Sequence, residues 1–188
     1  MASPNVEVAN DFFHDCLDFL HRYRLTGDAF YAIKSKRLKL FLDLRMAAEC
    51  VLKAVAAYHL APDTSKEAAI RHVERFSHKI AKLAVDTEAR LEPEPWASLE
   101  PFIEKLDALP VGLRYRLDGS DFRELNEEFY YETVGSDEWL DQLYSAVKLV
   151  ADSLNAKLQS HSRVISGTEL LEEILKPAHN KYANKSNH

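Results

Sequence analysis

The sequence predicts an all-α protein, an up-and-down bundle of three to four long helices with short accessory helices. Glycine and proline are scarce, 5 and 7 of 188 residues, roughly half the usual combined share of about 12%. That scarcity argues against many-turned sheets and Gly-rich phosphate loops. Apolar residues also recur at spacings of three and four along several long stretches. Hydrophobic residues make up 46% of the chain and charged residues 29%. This is enough for a core burying roughly two-thirds of the unfolded surface and too apolar for disorder.

The first helix is expected over residues 5–25, where Phe12, Cys16, Phe19, Leu20 and Tyr23 form one apolar face. Thr26-Gly27-Asp28 is read as its stop and as the cap of the next helix. That helix is expected over residues 29–60, with Phe41, Leu44, Ala48, Val51, Leu52, Val55 and Tyr58 as its stripe. Arg45, Glu49 and Lys53 stand four apart on another side, the spacing of helical ion pairs. Pro62-Asp63 breaks the chain. Thr64-Ser65-Lys66-Glu67 reads as a capping box opening a third helix that runs to about residue 91. Glu92-Pro93-Glu94-Pro95 is read as a stop before a shorter helix over residues 96–109. Residues 110–120, with Gly112 and Gly119, read as a loop. Residues 122–133 read as a short acidic helix. Gly135-Ser136 precedes the last long helix, expected over residues 137–159 with Leu140, Leu143, Tyr144, Val147, Val150, Ala151, Leu154 and Leu158 inward. A small helix over 168–175 and a polar tail over 176–188 complete a single domain spanning residues 1–175.

The net charge is −6, which does not suggest a DNA-coating protein. Its distribution is uneven. Residues 22–53 carry 8 basic and 3 acidic side chains and residues 66–82 carry 5 and 2, whereas residues 86–107 carry 2 and 7 and residues 118–141 carry 1 and 9. Such polarity gives either a face able to meet phosphate or a surface of internal charge pairs. Cys16 and Cys50 lie on apolar helical stretches and read as reduced core thiols. The N-terminal residues lack a basic n-region and no uncharged apolar run approaches the length of a membrane span. The expectation is a cytoplasmic protein with no membrane contact.

Most catalytic signatures are missing. No Glu is followed three residues later by His, and there is no His-Glu-x-x-His, Cys-x-x-Cys, Walker loop or Gly-x-Gly-x-x-Gly. No metal or cofactor is expected. His14 and His21, a heptad apart, read as polar surface positions.

The informative segment is Ile70-Arg71-His72-Val73-Glu74-Arg75-Phe76-Ser77-His78. On one continuous helix, Arg71 and His78 lie about 20° apart in projection, with Arg75 and Lys82 on the same side. Val73, Phe76, Ile80, Leu83 and Ala84 then face the core. The stripe pairs an Arg able to bind phosphate with a His able to move a proton near neutral pH. These are the minimum groups for cutting RNA without a metal; the alternative is a solvated helix face.

Three stretches together resemble the HEPN family (higher eukaryotes and prokaryotes nucleotide-binding) over roughly residues 30–160. They are Leu44-Arg45-Met46-Ala47-Ala48-Glu49-Cys50-Val51-Leu52-Lys53-Ala54-Val55, Ser77-His78-Lys79-Ile80-Ala81-Lys82-Leu83, and the Arg114-Tyr115-Arg116-Leu117-Asp118 loop before a final long helix. The resemblance implies a bundle of four or more helices, often dimeric. It also implies a metal-independent endoribonuclease or RNA-binding effector of a defence or toxin–antitoxin system, with an antitoxin or nucleotidyltransferase as protein partner. The family signature is Arg, four to six residues, then His; Arg71 and His78 are the one pair of this chain that fits it. They are the candidate catalytic residues, and Arg75, Lys82, Arg114 and Arg116 are the candidates for RNA phosphate. Ser77-His78-Lys79-Ile80 also resembles a Ser/Thr/Gly-His-Asp-Leu stretch that is structural in many members, whose ribonuclease motif lies near the last long helix. Here that helix has no matching Arg. His78 is therefore either the proton-transfer group or a structural histidine in a non-catalytic interaction module.

The tail over residues 176–188 has no apolar periodicity and no cap, so it should bury little. A chain ending at Leu175 is expected to melt within about a degree of the full-length protein by circular dichroism. A loss of several degrees would show that the tail docks.

Overall fold

A helix with one apolar stripe packs at the edge of a bundle, and a helix apolar all round packs at its centre. The second long helix is of the central kind. In the computed structural model, which describes residues 3–28, 36–109, 123–124 and 126–161, it is α2 (Lys36–Tyr58). Phe41, Leu44, Val51 and Leu52 are fully buried in it, beside Ala47, Ala48, Ala54, Ala56 and Ala57. The small residues let neighbours approach closely, and α1 (Pro4–Asp28) lies along α2 with Ala9, Phe13, Cys16 and Leu20 inward. The last long helix, α7 (Asp137–His161), packs against α2, α1 and α5 (Pro93–Ala108). Two shorter helices, α3 (Lys66–Glu74) and α4 (Ile80–Thr87), close another side of α2. A single 3-10 turn, Glu88–Arg90, follows α4, and the short α6 (Glu127–Tyr131) precedes α7. The protein is all-α, with no strand among the described residues.

Side chains complete the backbone where helices end. At the C-terminus of α2, Asn5 Nδ2 donates to the carbonyls of Tyr58 and Leu60 at 3.1 and 3.0 Å. Arg90 donates to the Ala56 carbonyl at 3.3 Å and His59 Nδ1 lies 2.9 Å from that of Val55. Tyr23 stacks on Tyr144 and donates to Asp141 at 2.9 Å, tying α1 to α7. Arg37 donates to the Gly135 carbonyl at 2.7 Å and to Asp137 at 2.9 Å, which fixes the start of α7 over α2. Ser136 accepts from Trp139 N and caps α7, as its position after Gly135 suggests. A Cβ on Gly135 would lie 3.0 Å from the Tyr130 carbonyl oxygen and from its ring, so the close turn before α7 has no room for a side chain.

Three expected boundaries differ. Helix α1 runs on through Thr26-Gly27-Asp28, where Gly27 meets open space and costs only propensity. Pro93 opens α5 rather than closing what precedes it: it sits in the first turn, where backbone N–H groups have no helical partner anyway. The third helix is not continuous. It ends at Glu74, turns through residues 75–79 and restarts at Ile80. The expected core face survives the break: Val73, Phe76, Ile80, Leu83 and Ala84 are all buried. The cap of α3 is Ser65, accepting from Ala68 N at 3.3 Å, one residue beyond the expected register. The loop over 110–120, the small helix over 168–175, the tail, and residues 29–35 at the expected start of the second helix lie outside the described residues.

The turn between α3 and α4 carries the chain's only described non-glycine residue with positive φ, Ser77 at 50°. Left-handed backbone costs an L-residue about 1 kcal/mol or more. Ser77→Gly should therefore raise the thermal midpoint by about 2–4 °C, and Ser77→Val should lower it. A glycine variant that melts at or below the parent temperature would contradict the strain.

Candidate functional site

Three charged residues spaced four apart along the buried stretch of a helix must find partners inside the protein. On α2 they do. Arg45 and Glu49 have side chains only 2% exposed, and Lys53 is 12% exposed. Lys53 Nζ donates to Glu49 Oε1 at 2.7 Å. Arg45 lies 3.8 Å from Glu49 Oε2, donates from Nε to the Leu106 carbonyl at 3.3 Å, and donates from NH2 to the His78 carbonyl at 3.1 Å. Its NH1 atom has no hydrogen-bond partner among the described residues. Burial lowers the Arg45 pKa, against the pull of Glu49 and Asp107. One turn away, burial pushes the Cys50 thiol up to about 12, as befits a core thiol.

His78 sits in the turn between α3 and α4, and Arg45 holds its backbone there. Its Nδ1 lies 3.0 and 3.2 Å from the two oxygens of Glu49. A carboxylate only accepts, so Nδ1 is the donor in this pair. The His78 side chain is 53% exposed. A buried carboxylate thus holds one ring nitrogen while the other edge meets solvent, the arrangement by which an acid orients a catalytic imidazole.

A second anionic centre sits at the other side of the same corner. Asp86, on α4, receives Arg75 at 3.2 Å, Arg90 at 3.0 Å and His72 at 3.4 Å. The Arg75 guanidinium also lies over the Phe76 ring at 4.7 Å. Asp107 of α5 accepts from the backbone of Ala81 at 3.1 Å, supporting the start of α4, where no side chain of the N-cap residue does so.

The expected Arg71–Arg75–His78–Lys82 stripe is therefore not one face of one helix. Arg71 is exposed on α3 and Lys82 is exposed on α4, and among the described residues neither side chain makes a hydrogen bond or close ion pair. Arg75 is held by Asp86, and His78 by Glu49. Arg114 and Arg116 lie outside the described residues. Glu49 is the member that sequence reasoning missed. Its signal was a carboxylate between Arg45 and Lys53 within the apolar run from Met46 to Val55.

Among the described residues, no group of three or more His, Cys, Asp or Glu side chains is placed to hold a metal ion. No helix among them is long and apolar enough to cross a membrane. No family model, curated protein or solved structure matches the chain.

The burial of the network sets what its members are worth. Glu49→Gln leaves Arg45 and Lys53 without their counter-charge and should cost about 3–5 kcal/mol in urea denaturation. His78→Ala removes a half-exposed partner and should cost under about 1 kcal/mol. Equal losses for the two would contradict this account of the corner.

Proposed function

We propose that the protein is a HEPN-like RNA-directed effector that cuts RNA without a metal ion, with His78 as proton-transfer group, Glu49 as the carboxylate that orients it and Arg71 as phosphate clamp. The observation that carries this reading is the His78–Glu49 pair: a solvent-facing imidazole whose Nδ1 is 3.0 Å from a buried carboxylate. Such a ring offers Nε2 as a base. It takes the proton of a ribose 2′-hydroxyl while O2′ attacks phosphorus. The P–O5′ bond breaks, O5′ leaves with a proton from a second imidazolium, and a 2′,3′-cyclic phosphate remains. A guanidinium offsets the charge on the pentavalent phosphorus. One chain supplies one such histidine, so the second acid comes from the same residue of a second copy in a homodimer. Lys82, with Arg114 and Arg116, contacts flanking phosphates. Arg75 contributes less than Lys82 because Asp86 already shares its charge.

A second reading has its own observation. Arg45 and Glu49 are buried and bind both the backbone and the ring of His78. On this reading the network serves only to set the corner between α3 and α4, and the chain is a non-catalytic interaction module, with an antitoxin or nucleotidyltransferase as partner.

Incubating the purified chain with labelled single-stranded RNA in EDTA separates the two. The nuclease reading expects products ending in 2′,3′-cyclic phosphate, a loss of about a hundredfold or more in rate for His78→Ala and for Arg71→Ala with folding retained, and weaker, less salt-dependent binding for Lys82→Ala. It also expects a dimer by light scattering. Intact RNA, with His78→Ala lowering only stability, gives the interaction module.

A further inference from the structure

Helices α4 and α5 pack side by side, and each turns one further face outward. On the α4 side the groove is lined by Ala81 and Val85, by Glu88 in the 3-10 turn that follows, and at its base by the buried Ala84; on α5 it includes Trp96, Glu100, Ile103, Glu104 and Asp107. The spacings are those of a helical stripe on both walls. Together they line an open groove of about 570 Å³. Its lining is largely apolar: Trp96 and Ile103 are half-buried, and Val85 is 75% exposed, the most exposed large hydrophobic side chain among the described residues. Its rim is acidic. Glu88, Glu100, Glu104 and Asp107 are all exposed, and among the described residues none has a cationic side chain within ion-pair distance. Some acidic residues elsewhere on the surface do have such partners, as Asp137 has Arg37 and Glu132 has Lys105; the rim is set apart by flanking an apolar groove.

We infer that the groove between α4 and α5 is a docking site for a basic amphipathic helix of a partner protein, with an apolar stripe on Val85, Trp96 and Ile103 and Lys or Arg side chains meeting the carboxylate rim. Two helical walls flanking an apolar trough accept a third helix through residues at i, i+3, i+4 and i+7. The sign of the rim selects the occupant. A second copy presenting the same face would set carboxylates against carboxylates across a two-fold axis. The apolar stretch over 168–175 of this chain carries Glu169, Glu172 and Glu173 and meets the same repulsion. A cationic helix gains from both parts of the surface: its stripe covers the exposed valine and the half-buried tryptophan, and its charges complement the rim. The inference rests on neither functional reading above, since none of the residues lining the groove is assigned to RNA cleavage.

The test uses the full-length protein and two fluorescein-labelled amphipathic peptides, each about 18 residues and roughly five turns long. One is built from leucine and lysine, the other from leucine and glutamate with the same apolar pattern. The leucine–lysine peptide is expected to bind with a Kd of about 10 µM or tighter, to shift Trp96 emission to the blue, and to weaken with added salt. Val85→Lys, at an exposed position that leaves the fold intact, should weaken it at least about tenfold. Glu100→Gln combined with Glu104→Gln should weaken it several-fold and flatten the salt dependence. Three results would overturn the proposal: equal binding of the leucine–glutamate peptide, undiminished binding to Val85→Lys, or a dimer in sedimentation that Val85→Lys dissolves, since the groove would then belong to a second copy.

Discussion

The carboxylate of Glu49 is the constraint around which the corner of this protein is built. A buried charge without partners is expensive, and here the expense is met by drawing in Lys53, Arg45 and His78 from three directions. Arg45, equally buried, must in turn satisfy its own donors. Two of them, on Nε and NH2, reach carbonyls at the end of α5 and in the turn after α3. One ion on α2 therefore dictates where two other segments lie. Apolar packing alone would leave the angle between α3 and α4 loosely specified, because alanine, leucine and valine can slide over one another. Directional bonds to a fixed carboxylate cannot.

The same corner explains why the basic surface is thinner than the count of basic residues suggests. Asp86 draws Arg75, Arg90 and His72 inward to a single anion. Of the cationic side chains between residues 66 and 82, those that stay clear of carboxylates belong to Arg71, Lys79 and Lys82. Charge placed by sequence near a candidate site is thus partly structural, and a local field is set by what remains after pairing. His78 is the member of the group that serves both sides, with one nitrogen committed to the interior and an edge in solvent.

The helices themselves were legible in the sequence because periodic apolar residues report burial directly. Val73, Phe76, Ile80, Leu83 and Ala84 were placed in the core and lie there, even though the helix that was supposed to present them is broken. The break was not legible. Residues 75–79 contain no glycine or proline, and nothing local favours a left-handed Ser77. The turn is imposed by Arg45, Glu49 and Asp86, two of them about thirty residues upstream, and tertiary bonds override local propensity. Proline misled in the opposite direction: Glu92-Pro93-Glu94-Pro95 has the composition of a stop but begins α5, since a proline lacks only a bond that the first turn never makes. For the site, spacing groups His78 with Arg71, Arg75 and Lys82 on one helix face, which the break between α3 and α4 divides. The real partner of His78, Glu49, was visible only as one step of an i,i+4 ladder whose burial no local pattern declares.

The central position of α2 has a consequence for how the chain is made. Its partners arrive at different times during synthesis. The face toward α1 is covered as soon as α2 emerges, because the two are neighbours in sequence. The face toward α7 waits for about 100 further residues, roughly 5–20 s at ordinary elongation rates. Throughout that interval part of the helix with the most buried residues among those described is without its cover, and Arg37 is without the Asp137 that later fixes it. The nascent chain passes through a stage in which a face of its central helix is presented before the segment that seals it, residues 137–161, exists.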